Sequence, residues 1–175
     1  HMNAILDPSE QGMMGYWNFN EASDEDAFDG TANNNDGIVH GATRYFPASP
    51  RDAFVNFDGT DDYVSITPIN DSLDISGSMT MESWIYLTDT SDLTRRMIMM
   101  KGADTDHNYS MYAQSDLSGK FKIHTDGHYV ANTLTNEGAS DTDHILEANK
   151  WYHVAASIDT EAGLHNIYID GELVL

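Results

Sequence analysis

The chain has 175 residues, which is enough for one domain with a sizeable core and too few for two. Apolar residues make up 40% and aromatic residues 10%, a globular composition that excludes an intrinsically disordered chain. The 29 acidic residues outnumber the 8 basic ones and give a formal net charge of -21, which argues against binding to nucleic acids or to anionic membrane surfaces.

Short runs of alternating apolar and polar residues, separated by turn residues, predict β-strands along most of the chain. The predicted strands are Gly15–Phe19, Ala53–Phe57, Tyr63–Ile66, Met79–Leu87, Arg96–Lys101, Tyr109–Ala113, Lys120–His124, Tyr129–Thr133, Trp151–Ile158 and Leu164–Ile169. Asp-Gly pairs at 29–30, 36–37, 58–59, 126–127 and 170–171 favour tight reversals, and one short helical turn is expected at Asp71–Leu73. This pattern predicts an all-β fold in which two antiparallel sheets form a sandwich.

The predicted strand Met79–Leu87 has two different faces, because successive side chains of a strand point to opposite sides. The apolar face is predicted to enter the core and carries Met79, Met81, Ile85 and Leu87. The face that mixes aromatic and polar groups is predicted to point outwards and carries Thr80, Glu82, Trp84 and Tyr86. The predicted strand Trp151–Ile158 alternates in the same way.

Other features limit the cell-biological setting. No Cys is present, so disulfide and thiolate chemistry are excluded. No apolar run approaches the roughly 20 residues of a membrane helix, so we expect no membrane insertion. His1-Met2 is typical of the remnant of a cleaved affinity tag, and we predict a lead-in over residues 3–14 and one domain over residues 15–175.

Six segments follow one another in the order and at the spacing of a known family. They are Gly15–Glu21, the Gly/Asn-rich loop Asp29–Gly37, Phe57–Val64, Met79–Leu87, Trp151–Ala155 and Ile167–Gly171. Together they resemble the bacterial laminin-G-like family, which is related to pentraxins and to the concanavalin A superfamily. The resemblance implies a jelly-roll β-sandwich with a recognition role outside the cell or on the cell surface.

In members of this family, several more strands follow the segment that Ile167–Gly171 resembles. The chain ends at Leu175, so we expect a jelly roll that lacks the last family strands. One of those strands lies beside the opening strand in the family, and the apolar Tyr16–Phe19 would then have an unpaired edge, which favours aggregation. We therefore expect a complementing chain or a strand-exchanged copy to supply the missing strands.

The loop Asp29–Asp36 and the upstream Glu21 form the candidate metal site. Asp29, Asn33 and Asp36 offer side-chain oxygens within one short loop, and calcium takes six to eight oxygen ligands. The resemblance implies the same ion, because laminin-G-like jelly rolls often hold a structural calcium at a rim loop of this kind. The alternative is that Asn and Asp are present only as turn formers.

Two sets of residues are candidates for ligand binding. Trp84 and Tyr86, on the outer face of their strand, would stack on sugar rings, and Arg95 and Arg96 would lie at the edge of that face; the alternative is that Trp84 only packs under loops. The resemblance to pentraxins implies a second set just before the predicted strand Tyr109–Ala113, and the alternative there is a solvated acidic hairpin. This second set is Asp106, His107 and Asn108.

Catalysis is not expected from the carboxylates in the predicted strands. Glycoside hydrolases of the concanavalin A fold need two carboxylates in one cleft, usually from one strand, and no predicted strand carries such a pair. We therefore predict a non-catalytic module. Its role is left open between calcium-stabilised binding of a glycan, adhesion to a surface protein ligand, and a structural spacer, with a glycoside hydrolase remnant as the less favoured alternative.

Overall fold

The structure is a computed structural model that describes residues 6–46, 53–68, 70–90, 95–103, 106–115, 121–127, 139–140 and 146–174. Of residues 103, 106–108, 115, 121–127 and 139–140 it describes the backbone alone. Contacts divide the chain into two compact units, Asn3–Asp74 and Ile75–Leu175. In the described ranges the paired strands are antiparallel and the helical structure is one 3-10 turn at Asp71–Leu73, which confirms the predicted all-β class and the predicted turn.

The unit Asn3–Asp74 contains two small sheets. Its strands are β1 (Asp26–Ala27), β2 (Gly37–His40), β3 (Thr43–Tyr45), β4 (Phe54–Asn56) and β5 (Tyr63–Ile66). One sheet has the order β1-β2-β5, and in the other β3 pairs with β4. The small core that supports them consists of Ala27, Val39 and Ala42, with Trp17, Phe19, Val55 and Val64 packed against it.

The prediction of an opening strand at Gly15–Phe19 is wrong, because the structure has no strand there. Phe19 has a φ of 57°, a left-handed conformation that interrupts an extended chain. The segment is held by isolated bonds instead, such as the one that the Trp17 indole N–H donates to the Asn35 carbonyl at 2.9 Å. We expect a complementing chain or a strand-exchanged copy because an opening strand at this position would have an unpaired edge. The structure has no strand here, so this expectation stays a prediction and the unpaired edge no longer supports it.

The unit Ile75–Leu175 is a sandwich of two four-stranded antiparallel sheets. The Trp84 sheet consists of β6 (Met79–Tyr86), β11 (Trp151–Asp159), β12 (Leu164–Ile169) and β13 (Glu172–Leu173), in the order β13-β12-β11-β6. The Met111 sheet consists of β7 (Arg96–Ala103), β8 (Asp106–Ser115), β9 (Phe121–Gly127) and β10 (Ala139–Ser140), in the order β10-β9-β8-β7.

The core of this unit lies between the two sheets and follows the alternation of their strands. Val154, Ala156 and Ile158 of β11 are at most 1% exposed, and they pack in one cluster with Met111 and Ala113 of β8, which are 0% exposed. Complete burial of a Val or Ile side chain contributes about 1.5–3 kcal/mol. The same cluster includes the predicted inner residues of Met79–Leu87, which confirms that prediction; they are Met79, Met81, Ile85 and Leu87.

The turn preference of Asp-Gly determines the local structure at one of the following two pairs and is overridden at the other. Asp170-Gly171 forms the two-residue hairpin between β12 and β13, with φ values of 50° and 83°, as a type I′ turn requires. The reversal predicted at Asp126-Gly127 is wrong, because both residues pair with β8 inside the β8–β9 ladder. Pairing with a long neighbouring strand outweighs the local preference there. The predicted strand Tyr129–Thr133 lies outside the described residues.

Candidate functional site

The outer face of the Trp84 sheet carries a group of exposed aromatic side chains. The register places Tyr86 opposite Trp151 and Trp84 opposite His153. Trp84 is 50% exposed, Tyr86 43% and Trp151 42%, and the ring centroids of Tyr86 and Trp151 lie 5.4 Å apart. These three residues, with Glu82 and His153, are called the aromatic face below. The prediction that Trp84 and Tyr86 point outwards is confirmed.

His153 is the buried polar residue of the aromatic face. Its ring meets Trp84 edge-on, with centroids 5.4 Å apart and planes at 67°, and its Nε2 lies 3.6 Å from Glu82 Oε2. Its backbone is fixed by Asp170, whose carboxylate accepts from the His153 N–H at 3.0 Å and whose N–H donates to the His153 carbonyl at 2.8 Å. Burial lowers the pKa of His153, against the attraction of Glu82 and Asp170, so its ring is uncharged at neutral pH.

Trp151 is a member of this face that the sequence-based candidates did not include. The alternation of Trp151–Ile158 places Trp151 and His153 on one side of their strand, which is a usable signal. The register between β6 and β11 was needed as well, because it alone sets Trp151 beside Tyr86.

The other predicted partners of Trp84 and Tyr86 are not brought to the aromatic face. Arg96 pairs with Ala113 in the Met111 sheet, at the start of β7. The guanidinium carbon of Arg95 lies 4.4 Å from the centroid of the Tyr112 ring of β8. Both Arg residues therefore lie with the Met111 sheet, on the other side of the core from Trp84. Ligand binding by Arg95 and Arg96 stays a prediction.

Asp106, His107 and Asn108 form the start of β8, so the strand begins earlier than the predicted Tyr109. Asp106 and His107 pair with β7, and this ladder replaces the loop that was expected before the strand. The side chains of these three residues lie outside the described part of the chain. Ligand binding by them stays a prediction.

Asp29, the centre of the predicted metal site, is 7% exposed, and its carboxylate is occupied by donors from the protein. Oδ1 accepts from the backbone N–H groups of Tyr16 (3.0 Å) and Thr31 (2.9 Å). Oδ2 accepts from the Thr31 hydroxyl (2.8 Å) and the Asn35 N–H (2.9 Å). Burial opposes ionisation of Asp29, but these hydrogen bonds outweigh it and hold the pKa below its ordinary value of 3.8.

The other three predicted metal ligands also engage protein groups. Asp36 Oδ1 accepts from a backbone N–H of its own loop at 2.9 Å. Asn33 directs its amide NH2, not its oxygen, to the Met14 carbonyl at 3.1 Å. Glu21 is paired with the Arg44 guanidinium at 3.4 Å. These groups do not converge as oxygen ligands, so the arrangement does not fit a calcium ion, and calcium binding stays a prediction.

Three carboxylates do converge in the described ranges, at Asp58, Asp61 and Asp62. One oxygen from each lies within 4.8 Å of the others. Asp62 accepts from the Asp58 N–H at 2.8 Å and Asp58 accepts from the Thr60 N–H at 2.7 Å, so the group forms an acidic turn at the surface. Carboxylates of this kind accept hard cations, and the turn serves as the comparison site in the following test.

If Glu21, Asp29, Asn33 and Asp36 bind calcium, the melting temperature of the protein should be higher in about 5 mM CaCl2 than in EGTA. The reason is that an ion that binds only the folded state stabilises that state. Asp36→Asn should abolish the shift, since it removes a charge and keeps an acceptor oxygen; Asp61→Asn, in the acidic turn, should not. Equal melting temperatures in both buffers would exclude the site. A shift lost only in Asp61→Asn would assign the ion to the acidic turn.

None of the described segments forms a helix with the length and apolarity needed to cross a lipid bilayer.

Comparison with known proteins identifies the family. No curated protein and no solved structure matches the chain. A laminin-G-like family model, described as the concanavalin A-like lectin/glucanases superfamily, matches residues 58–175. The match begins inside the Phe57–Val64 segment and includes every strand that builds the aromatic face. The chain therefore belongs to the concanavalin A-like lectin/glucanases superfamily as a laminin-G-like jelly-roll domain.

Proposed function

We propose that this chain is a non-catalytic, glycan-binding module of a secreted or cell-surface protein, with the aromatic face as its binding surface. The observation that carries the proposal is the joint exposure of Trp84, Tyr86 and Trp151 on one sheet face. Aromatic rings with one face in water stack on the apolar C–H surface of sugars, while indole N–H and phenol groups bond to hydroxyls. Membership of a superfamily that includes lectins, and whose laminin-G-like domains are commonly extracellular, supports the same role.

Hydrolysis receives less support from the residues of this face. The superfamily also includes glucanases, and glycoside hydrolysis needs two carboxyl groups about 5–9.5 Å apart. Among the outward residues of β6, β11 and β12, Glu82 is the carboxylate beside the rings. The next one in these strands, Asp159, lies about 13 Å further along β11 and accepts from the N–H groups of Glu161 (3.0 Å) and Ala162 (2.9 Å). The Asp170 carboxylate, in the turn between β12 and β13, also lies beside His153, and it accepts from the His153 backbone N–H at 3.0 Å.

Adhesion to a protein ligand is the second candidate function. Trp and Tyr are enriched in the centres of protein interfaces, so the same three exposed rings favour this role as well. A glycan array separates the two functions. Retention of polysaccharides supports a glycan-binding module, whereas an array without binding leaves adhesion or a spacer role.

Trp151→Ala should weaken glycan binding at least tenfold, because it removes one of three stacking rings while its exposed position limits the effect on folding. Isothermal titration with a polysaccharide selected on the array measures the change. Phe46→Ala is the matched control, since Phe46 is 57% exposed and lies in the Asn3–Asp74 unit. Equal losses in both variants, or none in Trp151→Ala, would remove the aromatic face as the binding surface.

A further inference from the structure

We propose that the aromatic face binds single soluble chains of a neutral polysaccharide and discriminates against acidic glycans and crystalline polymers. This inference rests on the proposed glycan-binding function and adds the ligand class. The charge of the face and the tilt of its rings support it independently of one another.

The charge of the Trp84 sheet is unsuited to an acidic glycan. Carboxylate and sulfate groups are recognised by Arg and Lys, which supply charge-assisted hydrogen bonds. The four strands of this sheet contain no Lys or Arg. Glu82 adds a negative charge beside the rings, and the formal net charge of -21 repels anionic polymers at longer range.

Two basic residues, one in the aromatic face and one next to it, do not change this conclusion. His153 is uncharged at neutral pH, because burial lowers its pKa. Lys150 precedes β11, and its Nζ lies 4.7 Å from the centroid of the Tyr152 ring. Tyr152 belongs to the core on the opposite side of the strand from Trp151, so the ammonium group is directed away from the exposed rings.

The tilt of the rings is unsuited to a crystalline surface. A crystal face is flat, so the aromatic rings that lie on it together must be coplanar. The planes of Tyr86 and Trp151 are inclined at 54° to each other. Rings inclined in this way contact successive sugars of a chain that itself twists, and a single chain in solution is free to do so.

The length of the polar and aromatic row on β6 indicates a polymer and not a monosaccharide. Glu82, Trp84 and Tyr86 project from the same face at two-residue intervals. Their Cα atoms span about 13 Å along the strand, and Trp151 widens the row by one strand. A row of this length exceeds a single sugar ring and offers contacts to several linked sugars.

The test compares four probes on the full chain. Mixed-linkage β-glucan and galactomannan are soluble neutral chains, polygalacturonate is a soluble acidic chain, and microcrystalline cellulose is an insoluble neutral polymer. Affinity electrophoresis measures the soluble probes and a sedimentation assay measures cellulose. We expect retardation by at least one neutral soluble probe, binding to polygalacturonate at least tenfold weaker, and no retention on cellulose.

Variants and salt make the expected result specific. Trp151→Ala should weaken retardation by the neutral probe at least tenfold, Trp151→Phe should weaken it less than Trp151→Ala because a ring remains, and Phe46→Ala should leave it unchanged. Raising NaCl from about 50 to 500 mM should change it less than twofold, because no charge pair is involved. Circular dichroism of each variant checks that the fold is retained.

The outcomes separate the two proposals. Trp151-dependent binding to polygalacturonate or to cellulose, equal to or tighter than binding to the neutral soluble probes, overturns the ligand class and leaves glycan binding intact. Absence of binding to all four probes counts against the glycan-binding function itself.

Discussion

Replacement of Arg44 by Met should lower the free energy of unfolding of the Asn3–Asp74 unit by about 3–5 kcal/mol. The Arg44 side chain is 0% exposed, and the Glu21 side chain that it pairs with is 8% exposed. Its guanidinium also donates to the backbone carbonyls of Glu21, Ser23 and Asp26. Met occupies much of the same volume, but it leaves the Glu21 carboxylate buried without a cation and these carbonyls without their donor.

Urea denaturation that reports on this unit alone measures the effect. Trp17 supplies the signal, because its indole is bonded to Asn35 inside the unit. The chain has 3 Trp residues, so a background with Trp84→Phe and Trp151→Phe makes Trp17 the single fluorophore. Both replaced residues are about half exposed, which limits the cost of that background.

Asp61→Asn is the control, because it removes a charge at an exposed side chain of the same Asn3–Asp74 unit. It should cost about 0.5 kcal/mol or less. The double variant Arg44→Met, Glu21→Gln should be more stable than the sum of the single effects predicts, since Gln removes the charge that Arg44→Met leaves unpaired. A loss in Arg44→Met no larger than in Asp61→Asn would show that the buried pair contributes little.

The position of Arg44 also explains why the sequence alone predicts Glu21 as a metal ligand. The chain contains no Lys or Arg before Arg44, so the acidic run from Glu21 to Asp26 shows no basic neighbour in the sequence. The hydrogen bonds of the Arg44 guanidinium to three backbone carbonyls of that run hold Arg44 against it, and a sequence pattern does not contain this non-local contact. The cation that balances Glu21 is therefore a side chain of the protein.

The alternation of apolar and polar residues was sufficient to predict both faces of β6, because which residues share one face depends only on the strand itself. Which residues share the outer face across strands depends on register, and β6 and β11 are joined by a long stretch of intervening chain. Trp84 and Tyr86 could therefore be named from sequence, whereas their neighbour Trp151 could not. Register is set by the packing of the whole inner face, which no single segment specifies.

The Asp29 carboxylate should be the second large contributor to stability, and Asp29→Ala should cost about 3 kcal/mol or more. The change removes the acceptor of three backbone N–H groups and one hydroxyl around a buried carboxylate, and these donors would lose their partners. Asp29→Asn keeps one acceptor oxygen and should cost about 2 kcal/mol. Asp61→Asn, at an exposed site, is the control and should stay within about 0.5 kcal/mol.

The pH dependence of the Asp29→Asn effect tests whether the ionised carboxylate is responsible. Hydrogen bonding overcomes the cost of burial and holds the folded-state pKa of Asp29 below 3.8, the ordinary value that it recovers on unfolding. The unfolded chain therefore binds the proton first as the pH falls, and the stabilisation present above pH 3.8 is lost as the pH falls through the folded-state pKa. The difference in unfolding free energy between the wild type and Asp29→Asn should be constant near neutral pH and shrink at acidic pH. Other carboxylates titrate in both proteins and largely cancel in this difference, so a difference that is independent of pH would assign the effect to packing instead of charge.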